Sequence, residues 1–267
     1  MDIIKAIRTT KKPLIMGVLN VTPNSFSDGG QHNEINKAIK RIKEMEEEGA
    51  DIIDIGGEST GPNSKNISLE DEYQRVIPIL RAALKITKLP ISIDTYKAKI
   101  AEESLKLGAQ MINDVTALRG NSKMAKIVAK YQVPIILMYS KDNSARTTLQ
   151  EKHYKNVIKT IKEFLTKQIK FAREADIKNS QIIIDPGMGN FISKIPKYSF
   201  EILNRLEELK KLGYPICIGA SRKSFIGGPM NERDLKGQII SAIAYLNGAG
   251  IIRTHDVKGT KNILEQL

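Results

Sequence analysis

The chain has very little cysteine, no tryptophan and few aromatic side chains of any kind. Cys217 is the only cysteine among 267 residues, which excludes an intramolecular disulfide and a thiolate-built metal cluster. It sits in the apolar stretch PICIGAS with no local histidine and reads as a small buried hydrophobe, not a catalytic thiol. Aromatics make up only 5% of the residues, and no nucleic-acid motif is recognisable, so a polynucleotide site is poorly supported. No run of about 18 or more apolar residues occurs, so no helix is expected to span a membrane. Met1 to Lys12 has neither the apolar core nor the small-residue cleavage site of a secretory signal, and the expected compartment is the cytoplasm. Acidic residues are also in deficit, leaving a net charge of +12. That excess suits anionic partners. Most lysines fall on helical stretches such as Asn156 to Lys170, however, where they read as a solvated surface. A small phosphorylated substrate is compatible with both observations.

What is present is a repeat. With 41% hydrophobic residues the chain can bury a substantial core, and one pattern recurs eight times: a short apolar strand, a polar loop, then an amphipathic helix. The strands are expected at Leu14–Asn20, Asp51–Gly56, Pro90–Asp94, Met111–Asp114, Pro134–Tyr139, Gln181–Asp185, Pro215–Ala220 and Gly250–His255. The helices are expected over 34–48, 68–87, 97–107, 122–131, 149–175, 198–212, 235–246 and 257–266. Several end on a glycine, as in EEEGAD, KLGAQ, KLGYP and NGAG, where a left-handed residue closes a helix. No linker or low-complexity stretch divides the chain. The pattern predicts an α/β fold, a (β/α)8 TIM barrel, forming one domain over residues 1–267, with an open doubly wound sheet as the alternative.

In such barrels the site lies at the carboxyl ends of the strands. Nearly every strand here delivers a polar group to that end. Asp94, Asn113 and Asp185 supply acceptors and donors suited to a flat heterocycle bearing several N–H groups and ring nitrogens, and Met138 can supply an apolar wall. Asn20, Ser59, Thr60, Arg253 and His255 supply neutral and cationic donors suited to phosphate oxygens. Asn20 can alternatively hold a hard metal through its amide oxygen, since Mg²⁺ takes few protein ligands when phosphates provide the rest. His255 reads as a phosphate or leaving-group contact, because Arg253 stands two residues before it on the same strand face. Lys223, in the turn SRKSFIGG, can contact a ring or a phosphate. A pyrophosphorylated heterocycle would satisfy both halves of the set.

The stretches MGVLNVTPNSFSDGG, DIIDIGGESTGP, ISIDT, MINDV, IIIDPGMG, IGASRKSFIG and IIRTHDV resemble, in order and spacing, those of dihydropteroate synthases. The resemblance spans Leu14 to Val257 and implies condensation of 6-hydroxymethyl-7,8-dihydropterin pyrophosphate with 4-aminobenzoate, releasing pyrophosphate. It implies Mg²⁺ on the leaving group, and carbon–oxygen cleavage running ahead of amine attack. It also implies roles: Asp94, Asn113, Met138, Asp185 and Lys223 on the pterin, with Asp94, Asp185 and Lys223 catalytic; Asn20, Thr60, Arg253 and His255 on the pyrophosphate, with Asn20 the metal ligand. Phe26, Thr60, Pro62 and Ser221 would line the aminobenzoate pocket, and the loops at 21–30 and 58–66 would close over the site. A homodimer is implied by the same resemblance. Three departures stand out: Gly61 where arginine is common, Asn24 for a frequent aspartate, and MGNFIS after the DPG. The last resembles a branch that includes sulfonamide-insensitive synthases, and altered selectivity towards aminobenzoate and sulfonamides is expected. The rival readings are a methyltetrahydrofolate:corrinoid methyltransferase barrel and a non-catalytic pterin-binding protein. The SRKS turn and the Arg253/His255 pair favour the synthase.

Overall fold

Eight apolar runs form eight strands: β1 (Leu14–Asn20), β2 (Ile52–Gly56), β3 (Ile91–Asp94), β4 (Met111–Asp114), β5 (Ile135–Met138), β6 (Ile182–Asp185), β7 (Cys217–Ile218) and β8 (Ile251–Thr254). They belong to a computed structural model that describes residues 3–9, 12–21 and 30–267. All the strand pairs are parallel, in the order β6-β5-β4-β3-β2-β1-β8-β7. A parallel bridge between Ile184 and Ile216 joins the two ends and closes the barrel. Helices α1 (Ile3–Thr9), α2 (Gly30–Glu47), α3 (Leu69–Ile86), α4 (Ala98–Leu107), α5 (Met124–Tyr131), α6 (Val157–Glu174), α7 (Lys197–Asn204), α8 (Leu206–Lys210), α9 (Arg233–Leu246) and α10 (Val257–Leu264) complete the fold. Among the described residues no helix is long and apolar enough to cross a membrane.

Two cores follow from the period-two alternation of the strands. Outward residues such as Ile15, Ile53, Ile93, Ile112, Leu137 and Ile184 pack against the helices. Inward residues Met16, Ile52, Met111, Ile136, Ile183, Cys217 and Ile251 fill the lower barrel. Ile3 and Ile7 of α1 cover the bottom of that inner cluster. The segment before β1, in which no element was expected, therefore acts as a plug. One step further along each strand the inward positions become polar, and that change places the site.

Several boundaries differ from expectation for local reasons. The sixth helix begins at Val157, not Leu149, because Asn156 caps it, accepting from the Lys159 N–H at 3.1 Å. Residues 140–156 instead run irregularly across the barrel mouth. The expected helix over 198–212 breaks at Arg205, whose side chain bonds Glu201 at 2.6 Å and Glu208 at 2.7 Å across the break. The seventh strand shrinks to Cys217–Ile218. The four helix-closing glycines, Gly49, Gly108, Gly213 and Gly248, all adopt positive φ as the sequence required.

Candidate active site

Register brings the polar inward residues into one layer. Asp94 pairs with Asn113 and with Gly56, Met138 with Asp185, and Arg253 with Met16. Arg253 reaches over β1, with Nε 2.7 Å from Asp54 Oδ2 and Nη2 2.8 Å from Asp94 Oδ2. Asn113 Nδ2 donates to the same Asp54 oxygen at 3.0 Å. Asp54 is fully buried, and its Oδ1 has no hydrogen-bond partner among the described residues. Sequence reasoning missed this residue because it looked only at strand ends. The available signal was a carboxylate within DIIDIGG, two positions before Gly56 and so on the same inward face.

Asp185 and Lys223 form the opposite side of the layer. Asp185 Oδ1 accepts from the Gly187 N–H at 2.7 Å, which fixes the carboxylate. Gly187 is at φ +70°, and a Cβ there would lie 2.4 Å from the Tyr139 carbonyl oxygen, so the DPG turn requires glycine. Lys223 Nζ donates to the Met188 carbonyl at 3.2 Å and lies 4.9 Å from the Phe191 ring centre. Burial lowers the Lys223 pKa to about 8, although Asp185 opposes the shift. Burial likewise raises Asp185, against the pull of Lys223. Asp94 is pushed up to about 7, chiefly by burial and further by Asp54, with Arg253 opposing. The Cys217 thiol is raised by burial in the lower barrel, in keeping with an inert side chain.

Above this layer lies a hydrogen-bonded rim. Asn20 Nδ2 stands 3.3 Å from His255 Nε2, and His255 Nδ1 stands 3.2 Å from Ser221 Oγ. With the Asn20 amide donating, Nε2 is the acceptor and Nδ1 carries the proton. Burial, with Arg253 and Arg222 nearby, lowers the His255 pKa to about 3, so the ring is neutral at pH 7. Arg222, in a left-handed conformation, turns its guanidinium to Asp234 at 2.8 Å.

Beside Lys223 opens a cavity of about 320 Å³ walled by Pro62, Thr147, Met188, Phe191, Ser224 and Arg233, among others. Here the expected set divides. Pro62 lies on the wall, and Thr60 is tied to it through its carbonyl, which accepts from the Thr147 N–H at 3.1 Å. Ser221 Oγ lies 3.2 Å from His255 Nδ1, and Ser224 stands on the cavity wall. Phe26, Asn24 and most of the expected first loop lie outside the described residues.

The closed (β/α)8 barrel gathers three carboxylates, an amide, a lysine and an arginine at its carboxyl-end mouth, where enzymes of this fold carry their chemistry. The model of the pterin binding enzyme family matches residues 16–255. The chain is 42% identical to the dihydropteroate synthase of Clostridium beijerinckii, over 95% of this chain and 92% of that one. It is 40% identical to that of Bacillus subtilis, over 95% and 87%. A crystal structure of the Clostridium difficile dihydropteroate synthase in the presence of pteroic acid superposes with TM-score 0.89 at 41% identity, covering 96% of this chain and 95% of that one. The Xanthomonas albilineans synthase in complex with 7,8-dihydropteroate gives TM-score 0.84 at 34% identity, over 96% and 92%. The chain belongs to the pterin-binding enzymes and, within them, to the dihydropteroate synthases, transferases of folate biosynthesis.

Proposed function

We propose that the barrel mouth joins the methylene carbon of 6-hydroxymethyl-7,8-dihydropterin pyrophosphate to the amine of 4-aminobenzoate. The bond from that carbon to the pyrophosphate oxygen breaks and its electron pair leaves with pyrophosphate. The amine nitrogen then bonds to the carbon and gives up a proton. The observation that carries the reading is the charge balance of the polar layer. Asp54, Asp94 and Asp185 against Arg253 and Lys223 leave a net charge of −1 when all are ionised (three carboxylates less two cations). A layer already fixed by hydrogen bonds stabilises positive charge developing at the pterin methylene without reorganising.

In this reading Asp94, Asn113 and Asp185 accept from and donate to the ring edge, Met138 packs on its face, and Lys223 meets it from the Phe191 side. Asn20, Thr60, Arg253 and His255 face the pyrophosphate. Ser224 and Pro62, with Phe26, line the aminobenzoate end, and Ser221 acts through His255. Mg²⁺ fits the rim: the Asn20 amide nitrogen is committed to His255, which leaves its oxygen exposed for a cation. A single amide oxygen suits an ion whose remaining ligands are phosphate oxygens and water. When bound, Mg²⁺ would neutralise charge on the departing pyrophosphate.

The protein is further read as a homodimer. Leu235, Ile239 and Leu246 on α9 are 65%, 49% and 64% exposed and, at helical spacing, share one stripe. Sedimentation at micromolar concentration checks the stoichiometry, and charged replacements at Leu235 and Leu246 should yield monomers. The test of the activity is conversion of the dihydropterin pyrophosphate to 7,8-dihydropteroate by the purified protein with Mg²⁺ and 4-aminobenzoate. Binding of the pterin without any product would overturn the reading.

A further inference from the structure

Arg146 lies in the irregular segment 140–156, far in sequence from the residues it holds. Its Nε donates to Ser64 Oγ at 2.7 Å. Its Nη2 donates to the Lys65 carbonyl at 2.9 Å, to the Ser59 carbonyl at 3.4 Å, and to Glu58 Oε1. One guanidinium thus grips the second loop at four points across 58–65. Ser64 Oγ in turn bonds the Ser59 and Gly61 carbonyls, each at 2.7 Å. The residue after Arg146 continues the tie on both sides. Thr147 N–H bonds the Thr60 carbonyl at 3.1 Å, and Thr147 Oγ1 bonds the Asn190 carbonyl at 2.8 Å. The two cavity walls, Gly61 and Pro62 on one side and Asn190 and Phe191 on the other, are therefore spaced by Arg146 and Thr147.

Glu58 does not depend on Arg146 alone. Lys97 Nζ donates to it at 2.5 Å and to Glu72 at 2.6 Å, and the Tyr96 hydroxyl donates at 3.1 Å. Removing Arg146 leaves that buried carboxylate paired, so what is lost is the fixed shape of the loop, not the fold. Gly61 offers no side chain to brace the wall, and Ser64, which does brace it, is itself held by Arg146.

We infer that Arg146 is a positioning residue for the arylamine: by clamping residues 58–65 it sets the width of the cavity that receives the ring. The inference rests on the assignment of that cavity to the amine. It predicts that Arg146 governs the amine substrate and not the pterin, whose contacts lie on β3, β4, β5 and β6 and at Lys223, none of them bonded to Arg146. Arg146→Ala should raise the KM for 4-aminobenzoate about tenfold and leave that for the dihydropterin pyrophosphate within about twofold, because a misplaced wall costs orientation of one substrate only. Arg146→Lys, which keeps one donor, should recover part of the loss. Ser64→Ala should raise the amine KM about threefold without touching charge.

Amide hydrogen exchange on the wild type and these variants, read alongside the kinetics, separates the possibilities. Faster exchange over 59–65 with unchanged exchange in β6, together with the selective KM change, is the expected result. Unchanged exchange in Arg146→Ala, or equal KM increases for both substrates, would overturn the inference. Should Arg146→Ala fail to fold, wild-type behaviour of both Arg146→Lys and Ser64→Ala would overturn it equally. A wild type with no amine-dependent product would instead refute the activity, while the exchange data would still decide whether Arg146 clamps the loop.

Discussion

The Arg253 guanidinium on β8 and the Asp54 carboxylate on β2 meet 2.7 Å apart over the intervening strand. Asp54 is fully buried, whereas the side chain of Asp94, the second carboxylate on the same guanidinium, is 21% exposed. The two acids therefore differ: Asp54 fixes the arginine and Asn113, whereas Asp94 is left at the surface of the layer.

The difference predicts unequal costs. Asp54→Ala leaves Arg253 and Asn113 without their shared acceptor and should lose about 3–5 kcal/mol, the range for breaking a buried pair. Asp94→Ala should cost little or no stability, because burial already disfavours the charged carboxylate in the fold, yet abolish pterin binding. Urea unfolding and pterin titration of the two variants read the contrast directly.

Pterin affinity should depend on pH through Asp94 and Lys223. Asp94 takes up a proton as pH falls through about 7, and Lys223 gives one up as pH rises through about 8. Affinity is thus greatest between these values and declines on both sides. Asp94→Asn should bind weakly and lose the acid limb; a flat wild-type profile from pH 5.5 to 9.5 would contradict the assignment.

His255 gives a separate stability signature. Its folded pKa of about 3 lies below the ordinary value of 6.5, so the unfolded chain takes up a proton that the native site refuses. The stabilisation is complete above pH 6.5 and erodes as the pH falls towards 3. At pH 5 the wild type should have lost about 1–2 kcal/mol relative to His255→Gln, at roughly 1.4 kcal/mol per pH unit. Equal pH dependence of the two proteins would show that the ring is not held neutral.

Gly61 stands on the wall of the cavity beside Lys223. Among the described residues a Cβ there would meet only Ser59 Oγ, at 3.5 Å, so a larger residue fits. Gly61→Arg adds a cation at the cavity wall and should lower the KM for 4-aminobenzoate about threefold, the scale of an exposed ion pair. Sulfonamide inhibition constants should shift in the same direction if the drug enters the same cavity.

The barrel was legible because strand alternation and helix-closing glycines act locally. That Asp94, Asn113, Met138 and Asp185 gather at one mouth was legible because strand ends face the same end of any such barrel. What escaped was set by tertiary bonds. Asp54 lies one inward step deeper, among isoleucines that mask it. Arg146 meets Glu58 across 88 residues of sequence, and no local pattern announces that pairing. The non-helical course of 149–156 has the same origin: Lys152 N–H bonds Ser193 Oγ at 3.0 Å and Tyr154 N–H bonds the Tyr198 hydroxyl at 3.0 Å, drawing the segment away from helix.

The most direct measurement is pyrophosphate release from 6-hydroxymethyl-7,8-dihydropterin pyrophosphate and Mg²⁺, with and without 4-aminobenzoate, by the wild type and by Asp185→Asn. Release that requires the amine, yields 7,8-dihydropteroate in equal amount and falls at least about a hundredfold in Asp185→Asn is the predicted result. Pterin pyrophosphate that binds but is never consumed, or turnover indifferent to Asp185, would contradict the account of the polar layer as the catalytic centre.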